Sequence, residues 1–280
     1  MFNSSTTVPA IRVEEGYTLY YIPYQFGSLI GPEKYWDENW AFQFFSTNWS
    51  HSIWIALLYS VAVHAGERWM AERKPFNLKL PLIIWSAALA IFSLAGTIRM
   101  GEEFLYVLRT RSFLDSISYS VDPSEPAAFW ACLFAISKLI ELGDTLFIVA
   151  KKKELIFLHW YHHAVVLVYV WHSATELVAG GRWFITMNYA VHTLMYAYYA
   201  VTAAGFRLPR GLSMLITTLQ TTQMLVGVAI SFTVLHYKLQ GRIMQQSYEN
   251  LLLCFAIYSS FAVLFMNFFQ KLYLEKKVKT

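Results

Sequence analysis

The stretch LPLIIWSAALAIFSLAGTI, residues 80–98, decides the class of fold because it carries no charged side chain. A run of about 20 predominantly apolar residues is long enough to cross the hydrocarbon core of a bilayer as an α-helix. The whole chain shares this character, since 56% of its 280 residues are hydrophobic and 14% are charged, whereas about 25% are charged in an ordinary soluble domain. The sequence therefore predicts a membrane protein.

Six further apolar segments lie around this stretch, one before it and five after it. They cover residues 52–69, 127–150, 155–171, 183–204, 212–235 and 251–274. We therefore predict an all-α, polytopic membrane fold of about seven transmembrane helices in one domain. In this organisation residues 1–50 form an N-terminal segment, residues 51–274 form the helical bundle, and residues 275–280 form a tail.

The Lys and Arg residues predict the orientation of this bundle. They are more numerous in the regions after the first, third, fifth and seventh segments than in the alternate loops. Cytosolic loops are the ones enriched in these residues, so we expect a cytosolic C-terminus and a lumenal N-terminus. The glycosylation sequons at Asn3 and Asn48 fall on the predicted lumenal side.

Charge, cysteine content and the start of the chain exclude other classes. No cleavable signal-peptide pattern is present, so we expect the first span to direct insertion. Cys132 and Cys254 lie within apolar runs, which predicts neither a disulfide framework nor a thiolate metal site. The formal charge of +4 is small, which favours contact with anionic lipid or phosphate, and no nucleic acid is expected as a partner.

Ionisable side chains inside the predicted spans are the candidates for function, because each costs several kcal/mol in hydrocarbon unless it is paired or hydrated. In the third segment Lys138, Glu141 and Thr145 share one helical face, and Asp144 flanks it. A structural ion pair between Lys138 and Glu141 is one interpretation. The additional acid favours a second, in which Asp144 orients a neighbouring group such as a histidine.

The fourth segment opens with three histidines, His159, His162 and His163. At about 100° per residue they fall within one arc of a helix, so all three can face one cavity. A single histidine in a helix is more often structural than functional, but three on one face inside a membrane favour function. This cluster, the histidine box, is the strongest candidate for catalysis.

The fifth and sixth segments each carry a polar stripe. In the fifth it consists of Asn188, His192, Met195, Tyr196 and Tyr199, with Tyr198 beside it, and in the sixth of Thr217, Gln220 and Gln223. The tyrosines fit an interfacial belt or a lined tunnel, and the amides fit hydrogen bonds between helices or a site. Counted from the basic flanks at about 1.5 Å per residue, all four motifs lie at similar depth, in the cytosolic half of the membrane.

Together these motifs resemble the four signature motifs of the fatty-acid elongase family. The match comprises Lys138-x-x-Glu141-x-x-Asp144-Thr145, His159-x-x-His162-His163, His192-x-x-Met195-Tyr196-x-Tyr198-Tyr199 and Thr217-x-x-Gln220-x-x-Gln223, in this order. Trp160 and the residues around Asn188 are similar to the branch that extends saturated and monounsaturated chains. The resemblance implies that the seven helices enclose a narrow acyl tunnel.

The resemblance also implies a reaction, the condensing step of fatty-acid elongation. Acyl-CoA and malonyl-CoA would give a 3-oxoacyl-CoA two carbons longer, CO2 and CoA, with no bound cofactor and no metal. The acyl-CoA would be long-chain and saturated, monounsaturated or methyl-branched. His162 would be the nucleophile that forms an acyl-histidine, and His192 its partner. The other residues implied in catalysis are His159, His163, Asn188, Gln220, Gln223, Asp144 and Lys138.

The residues expected to bind substrate come from the same motifs and from the cytosolic charges. The motif residues are Glu141, Thr145, Met195, Tyr196, Tyr198, Tyr199, Trp160 and Thr217. The basic residues are Lys151, Lys152, Lys153, Arg207 and Arg210. Lys and Arg bind phosphate, so these five are expected at the phosphates of CoA, although topology alone also explains them. Bulky side chains that could end the tunnel are Trp160, Trp171, Trp183 and Phe184.

A location and partners follow from the resemblance as well. We expect the protein in the endoplasmic reticulum membrane, in contact with membrane lipid and with the reductases and dehydratase of the elongation cycle. A homodimer is compatible with the sequence, which does not determine the oligomeric state. The tail Lys276-Lys-Val-Lys-Thr280 is similar to a dilysine retrieval signal, although Val278 stands where a lysine is usual.

Two other functions are compatible with buried polar groups in a membrane. A metal-dependent desaturase or hydroxylase also uses an HxxHH box, because imidazole suits iron. Such a site needs several more histidines in further boxes, and the only others here are His51, His64, His172, His192 and His236, most of them at other depths or on other spans. A transporter or a seven-helix receptor would also bury charges, but no inverted repeat or broken helix is visible in the sequence.

Overall fold

The computed structural model describes residues 9–14 and 17–275. The described residues form ten α-helices, which are α1 (Glu38–Asn48), α2 (His51–Ala71), α3 (Lys79–Thr110), α4 (Phe113–Ser118), α5 (Pro126–Glu141), α6 (Gly143–Ala150), α7 (Phe157–Ala174), α8 (Gly181–Ala204), α9 (Arg210–Leu239) and α10 (Tyr248–Phe269). A π-helical turn, Gln270–Leu274, extends α10. The sequon at Asn3 and the tail from Lys276 to Thr280 lie outside the described residues.

A helix, or a pair of helices, covers each of the seven apolar segments. Three of them, Lys79–Thr110, Arg210–Leu239 and Tyr248–Leu274, are long and apolar enough to cross a membrane. The prediction of a helical membrane protein is therefore confirmed. The number of seven spans and the orientation stay predictions.

The third predicted segment is two helices instead of one, because the helix is interrupted at Leu142 between α5 and α6. Gly143 follows the interruption, and glycine is about 1 kcal/mol less favourable than alanine inside a helix. The glycine is needed for packing, since a Cβ at this position would lie 2.7 Å from the Trp85 ring. The absence of a Cβ at Gly143 therefore lets α3 approach the chain beside the polar motif.

Helix α3 continues to Thr110, past the predicted end of its apolar segment at residue 98. Arg99 and Glu103 lie inside the helix and are buried, yet each has a charged partner. Arg99 Nη2 lies 2.7 Å from Glu33 Oε2, and Arg182 Nη2 lies 2.8 Å from Glu103 Oε1. A helix can carry charges into a buried region when each one is paired and hydrogen-bonded. These pairs join α3 to the N-terminal segment and to α8.

The N-terminal segment departs from the all-α prediction. Strands β1 (Ala10–Glu14) and β2 (Tyr17–Tyr21) pair as an antiparallel hairpin, with Arg12 opposite Leu19. The backbone of Ser120 donates to Tyr20 (2.8 Å) and accepts from Ile22 (3.0 Å), which ties the hairpin to the loop before α5. The local sequence alternates between apolar and polar residues, a pattern typical of a half-buried strand.

Helix α1 follows the hairpin and a 3-10 turn over Gly31–Tyr35. Asp37 caps its N-terminus, because its Oδ1 accepts hydrogen bonds from the backbone of Asn39 and Trp40, both at 3.0 Å. Phe45 packs edge-on against Trp171 of α7, with ring centroids 5.7 Å apart. The cap and this contact place α1 across one end of the helical bundle.

Candidate active site

An elongated, partly open cavity runs through the bundle between α5, α7, α8 and α10. At one end, here called the box end, it is lined by His162, Asn188 and Gln223. At the other, the far end, it is lined by Trp36, Glu38, Ala41, Phe42 and Pro123. Most of the wall between the two ends is apolar. From His162 to Ala174 the cavity follows α7 over about 18 Å, more than the hydrocarbon depth of one leaflet of a bilayer, about 15 Å.

His162 is the histidine that reaches this cavity. Among the eight histidines of the chain, all of which lie within the described residues, it alone lines the wall. Its ring lies against Phe261 of α10, with centroids 4.6 Å apart, and near Phe265 at 6.0 Å. Its Nδ1 atom is buried without a hydrogen-bond partner. The aromatic contacts hold the ring at the wall, beside the space that a substrate would occupy.

His159 and His163 stand behind His162, away from the cavity. The ring of His163 lies 4.6 Å from that of His159 and 5.6 Å from that of His162. His159 Nε2 is 3.0 Å from Thr145 Oγ1, which is itself 2.6 Å from the hydroxyl of Tyr59. This hydrogen-bonded chain joins α7 to α6 and α2 and fixes the start of the histidine box.

Lys138 and Glu141 form a buried ion pair one turn apart on α5. Lys138 Nζ lies 2.8 Å and 3.0 Å from the two carboxylate oxygens of Glu141 and donates to Asn188 Oδ1 at 2.9 Å. Ser137 Oγ also donates to Glu141, at 3.0 Å. His192 Nδ1 lies 3.8 Å from Glu141 Oε2. The pair therefore links α5 to the polar stripe of α8. These contacts are those of a structural ion pair, the first of the two interpretations of the sequence.

Asp144 orients two aromatic side chains. Its Oδ1 accepts from the indole N–H of Trp85 at 2.6 Å, and its Oδ2 accepts from the hydroxyl of Tyr196 at 2.7 Å. The expectation of a neighbour held by the additional acid is met by Tyr196 instead of by a histidine. The close approach of α3 at Gly143 brings the Trp85 indole to the same carboxylate, so the two oxygens of Asp144 are both occupied by aromatic donors.

The sixth predicted segment, now α9, meets the cavity through one of its three polar residues. Gln223 is buried and lines the box end. Gln220 Nε2 donates to Met195 Sδ at 3.2 Å, and Thr217 Oγ1 donates to the Ser213 carbonyl at 3.0 Å. Gln220 and Met195 therefore join α9 to α8, Thr217 bonds within its own helix, and none of the three lines the cavity.

Other residues predicted to bind substrate lie outside the cavity wall. Trp160 packs edge-on against His64, with centroids 5.0 Å apart. The Tyr199 side chain is 45% exposed, and the Tyr198 ring packs beside it at 6.1 Å. Of the bulky residues expected to end a tunnel, Phe184 lines the cavity, whereas Trp171 and Trp183 pack behind the wall.

The five basic residues expected at CoA phosphates do not line the cavity either. Lys152 Nζ donates to the carbonyls of Ala71 and Arg73, at 2.7 Å and 3.1 Å, and so satisfies the C-terminal end of α2. Arg210 donates to the Leu272 carbonyl at 3.1 Å. Two of the five therefore have structural partners. The others, Lys151, Lys153 and Arg207, lie on the surface of the bundle.

Across residues 9–14 and 17–275, no group of three or more His, Cys, Asp or Glu side chains is arranged to hold a metal ion. The buried Nδ1 atoms of His162 and His163 belong to rings 5.6 Å apart and perpendicular, at 86°. Iron bound by several converging imidazoles, as the desaturase alternative requires, is not matched by this donor arrangement.

Several supporting residues carried no recognisable signal in the sequence. Trp85 and Tyr59 sit in apolar segments, where an aromatic side chain is ordinarily a packing residue. Their N–H and O–H groups become informative only when the fold shows Asp144 and Thr145 as acceptors. Phe261, Glu38 and Phe42 reach the cavity from distant parts of the chain, so spacing along the sequence could not have identified them.

Comparison with known proteins gives a family and close relatives. Residues 44–280 match the family described as ELO: GNS1/SUR4. A Caenorhabditis elegans protein provisionally named fatty acid elongase 4 is 47% identical over 264 residues, 94% of this chain and 89% of that protein. Very long chain fatty acid elongase 6 of Homo sapiens is 43% identical over 249 residues, 89% of this chain and 94% of that protein. The Drosophila melanogaster protein of the same name is 45% identical over 235 residues, covering 81% and 73%.

Proposed function

Because the chain belongs to the ELO (GNS1/SUR4) family of fatty-acid elongases, which act in the elongation of very long chain fatty acids, we propose that it catalyses the condensing step. In this reaction acyl-CoA and malonyl-CoA give a 3-oxoacyl-CoA two carbons longer, CO2 and CoA. The observation that carries the proposal is that His162, alone among the histidines, stands in the wall of a long apolar cavity.

The cavity supports an acyl chain as the substrate group. A pocket lined mainly by apolar side chains, with a few polar groups at one end, binds an apolar ligand and fixes its orientation through those groups. The alkyl chain would fill the space towards Phe184 and the far end, and its thioester carbon would lie at the box end beside His162.

In the first half of the reaction an imidazole nitrogen of His162 attacks the thioester carbonyl carbon. A C–N bond forms, the C–S bond breaks, and the proton from the imidazole N–H leaves with the thiolate as CoASH. The product is an N-acylimidazole. Covalent catalysis of this kind divides one difficult acyl transfer into two easier ones.

In the second half malonyl-CoA loses CO2, and the electron pair of the broken C–C bond forms an enolate. The enolate carbon attacks the acyl carbonyl, a new C–C bond forms, and the C–N bond to His162 breaks. The imidazole takes up one proton from solvent, which is the proton that the overall reaction consumes, so the ring is ready for another turnover. His192 is assigned as the partner that shares this proton or the charge that develops on the ring.

Asn188 is positioned to stabilise the oxyanion. Lys138 has only donors, so the Asn188 atom 2.9 Å from it must be the amide oxygen. This contact leaves the NH2 group of Asn188, which lines the box end together with the amide of Gln223, to donate to the developing oxyanion. Removing one donor of this kind typically costs about 10²–10³ in kcat. The buried ion pair thus sets the orientation of a group that touches substrate.

The test is a His162→Ala variant in the full-length, membrane-inserted protein, assayed with long-chain acyl-CoA and malonyl-CoA. We expect condensation to be lost while insertion and thermal stability are retained. His236→Ala is the matched control, because His236 is exposed and contacts Gln240 instead of the cavity. After incubation with acyl-CoA alone, mass spectrometry should find an acyl adduct on His162 in the wild type. Near-normal activity of His162→Ala would refute the nucleophile assignment.

The same preparation tests the alternative function. Stoichiometric iron together with desaturation or hydroxylation of the acyl chain would replace our proposal with that of a metal-dependent membrane oxidase. Condensation with malonyl-CoA by a preparation in which no desaturation is detected would support the elongase reaction. Absence of the adduct under trapping conditions, with normal condensation, would favour direct acyl transfer.

The proposal includes the cellular setting and the substrate branch. We propose seven transmembrane helices with a lumenal N-terminus and a cytosolic C-terminus in the endoplasmic reticulum membrane, where the product would pass to the reductases and dehydratase of the cycle. Long-chain saturated, monounsaturated or methyl-branched acyl-CoA are the proposed substrates. The residues that carry this branch assignment are Trp160 and those around Asn188.

A further inference from the structure

The far end of the cavity is lined mainly by a part of the chain that precedes the family match. Trp36, Glu38, Ala41 and Phe42 line this end, and the match begins at residue 44. The hairpin bonds to Ser120 in the loop before α5, and the indole N–H of Trp36 donates to the Pro123 carbonyl of that loop at 2.9 Å. The far end is therefore built mainly by the N-terminal segment and lies outside the four motifs.

A second, smaller and partly open cavity adjoins this end. It is lined by Arg12, Leu19 and Asn39, and it shares four further lining residues with the larger cavity. The shared residues are Glu38, Phe42, Pro123 and Leu177. Because these side chains line both spaces, they form the wall between them.

Three of the shared residues, Phe42, Leu177 and Pro123, make the apolar part of the wall. Phe42 projects from α1, and Leu177 projects from the loop between α7 and α8. Leu177 has φ of 47°, in the left-handed region that residues other than Gly, Asn and Asp rarely adopt. A residue held in such a conformation is constrained by its surroundings. The position of the Leu177 side chain in the wall is therefore imposed by the fold.

The space behind the wall is unfavourable for an alkyl chain. Arg12 Nη1 lies 2.5 Å from Glu38 Oε1, and Arg12 Nη2 donates to Asn39 Oδ1 at 3.3 Å. A methyl terminus that passed Phe42 would have to displace water or side chains from around this ion pair, and burying charges without compensation is costly. Size and polarity both oppose a longer chain at this point.

We propose that Phe42 and Leu177 set the maximum length of the acyl chain that the protein extends. The inference rests on the proposed function and adds its selectivity. A chain whose methyl end reaches this wall is accepted, and a longer one requires the wall to open into the second cavity.

The experiment measures kcat/KM for a panel of saturated acyl-CoAs of increasing length with malonyl-CoA. Phe42→Ala and Leu177→Gly each join the two cavities. We expect both to shift the profile to longer chains, with the ratio of kcat/KM for longer to shorter substrates rising by at most about tenfold for the first two-carbon step. Burial of two methylene groups sets this upper bound, and the Arg12–Glu38 pair behind the wall offsets part of the gain. Phe42→Trp enlarges the wall and should shift the profile to shorter chains.

Phe44→Ala is the matched control, because it removes the same side chain from the same helix without touching the cavity. Phe44 packs against Trp40, Phe45 and Trp171, so its loss loosens α1 but leaves the wall intact. We expect an unchanged length profile. Leu177→Gly protects the test against misfolding, since glycine adopts positive φ without steric cost.

Unchanged length profiles in both Phe42→Ala and Leu177→Gly would overturn the inference. Failure of the proposed function is separate, because it would appear as no condensation by the wild type at any chain length. In that case the thermal stabilisation of each protein by the same acyl-CoA panel measures directly which chain lengths fit the cavity. Stabilisation of the two opened variants by longer chains supports the inference, and equal responses in wild type and variants refute it.

Discussion

The two ends of the cavity are each held by an ion pair, but in opposite surroundings. At the box end the side chains of Lys138 and Glu141 are 2% and 5% exposed. At the far end those of Arg12 and Glu38 are 31% and 23% exposed. Breaking a buried pair leaves an uncompensated charge, whereas partly exposed pairs contribute little. The proposed reacting groups therefore lie at the end that tolerates little change, and the proposed chain-length selection lies at the end that can vary.

The two ends also differ in how the chain builds them. Lys138 and Glu141 are one helical turn apart, and their motif partners recur at helical spacing on α7, α8 and α9. The far end combines a hairpin, the start of α1 and the loop at Leu177, which are distant in sequence. Local periodicity constrains the first arrangement, and long-range docking determines the second.

The largest effect is expected from Glu141→Gln at the box end. It leaves the buried ammonium of Lys138 without its carboxylate, which typically costs about 3–5 kcal/mol. Thermal unfolding in detergent should show a large loss of stability, and condensation should be lost with it. The double variant Lys138→Met, Glu141→Leu removes both charges and should recover much of that stability. It should stay inactive, because Asn188 loses the donor that orients its amide. A double variant no more stable than Glu141→Gln would contradict this account.

A smaller effect is expected in the wall between the two ends. At Gly227 of α9 an added Cβ would overlap the Tyr258 ring, and Tyr258 lines the cavity. Gly227→Ala should force the ring to move and destabilise the protein by about 1–3 kcal/mol. The displaced ring should also reduce activity with the longest accepted chains before shorter ones.

Gly101→Ala provides the control for this substitution. Gly101 lies within α3 and has no atom within 4 Å of an added Cβ, so alanine should stabilise the helix by about 0.5–1 kcal/mol. Thermal unfolding of the two variants in the same detergent compares them directly. Equal changes in stability would mean that the Tyr258 ring does not restrict the size of the side chain at position 227.

The sequence identified the box end more completely than the far end, for a physical reason. Charges and histidines in apolar segments stand out because hydrocarbon penalises them, so Lys138, Glu141 and His162 could be recognised by type and spacing. The membrane-protein class and the family were recognisable in the same way. What spacing could not show was which histidine reaches the cavity, since that depends on how α10 places Phe261 against the box.

The far end could not be predicted from residue types. Phe42 and Leu177 are ordinary apolar residues in a chain that is 56% hydrophobic. The hairpin that brings Arg12 to Glu38 lies in a segment for which helical periodicity offers no signal, and it makes the all-α description incomplete. Glu33 and Arg99 show the same limitation, because their pairing spans the N-terminal segment and α3.

The smallest effect is expected from Arg12→Ala, which breaks the ion pair at the far end. Because both partners are partly exposed, the loss of stability should be about 0.2–1 kcal/mol, well below that of Glu141→Gln. High salt screens exposed pairs more than buried ones, so the difference between wild type and Arg12→Ala should shrink as ionic strength rises. The difference for Glu141→Gln should persist. Thermal unfolding of both variants at low and high salt measures this contrast. An Arg12→Ala effect as large and as salt-independent as that of Glu141→Gln would show that the far end is as rigid as the box end.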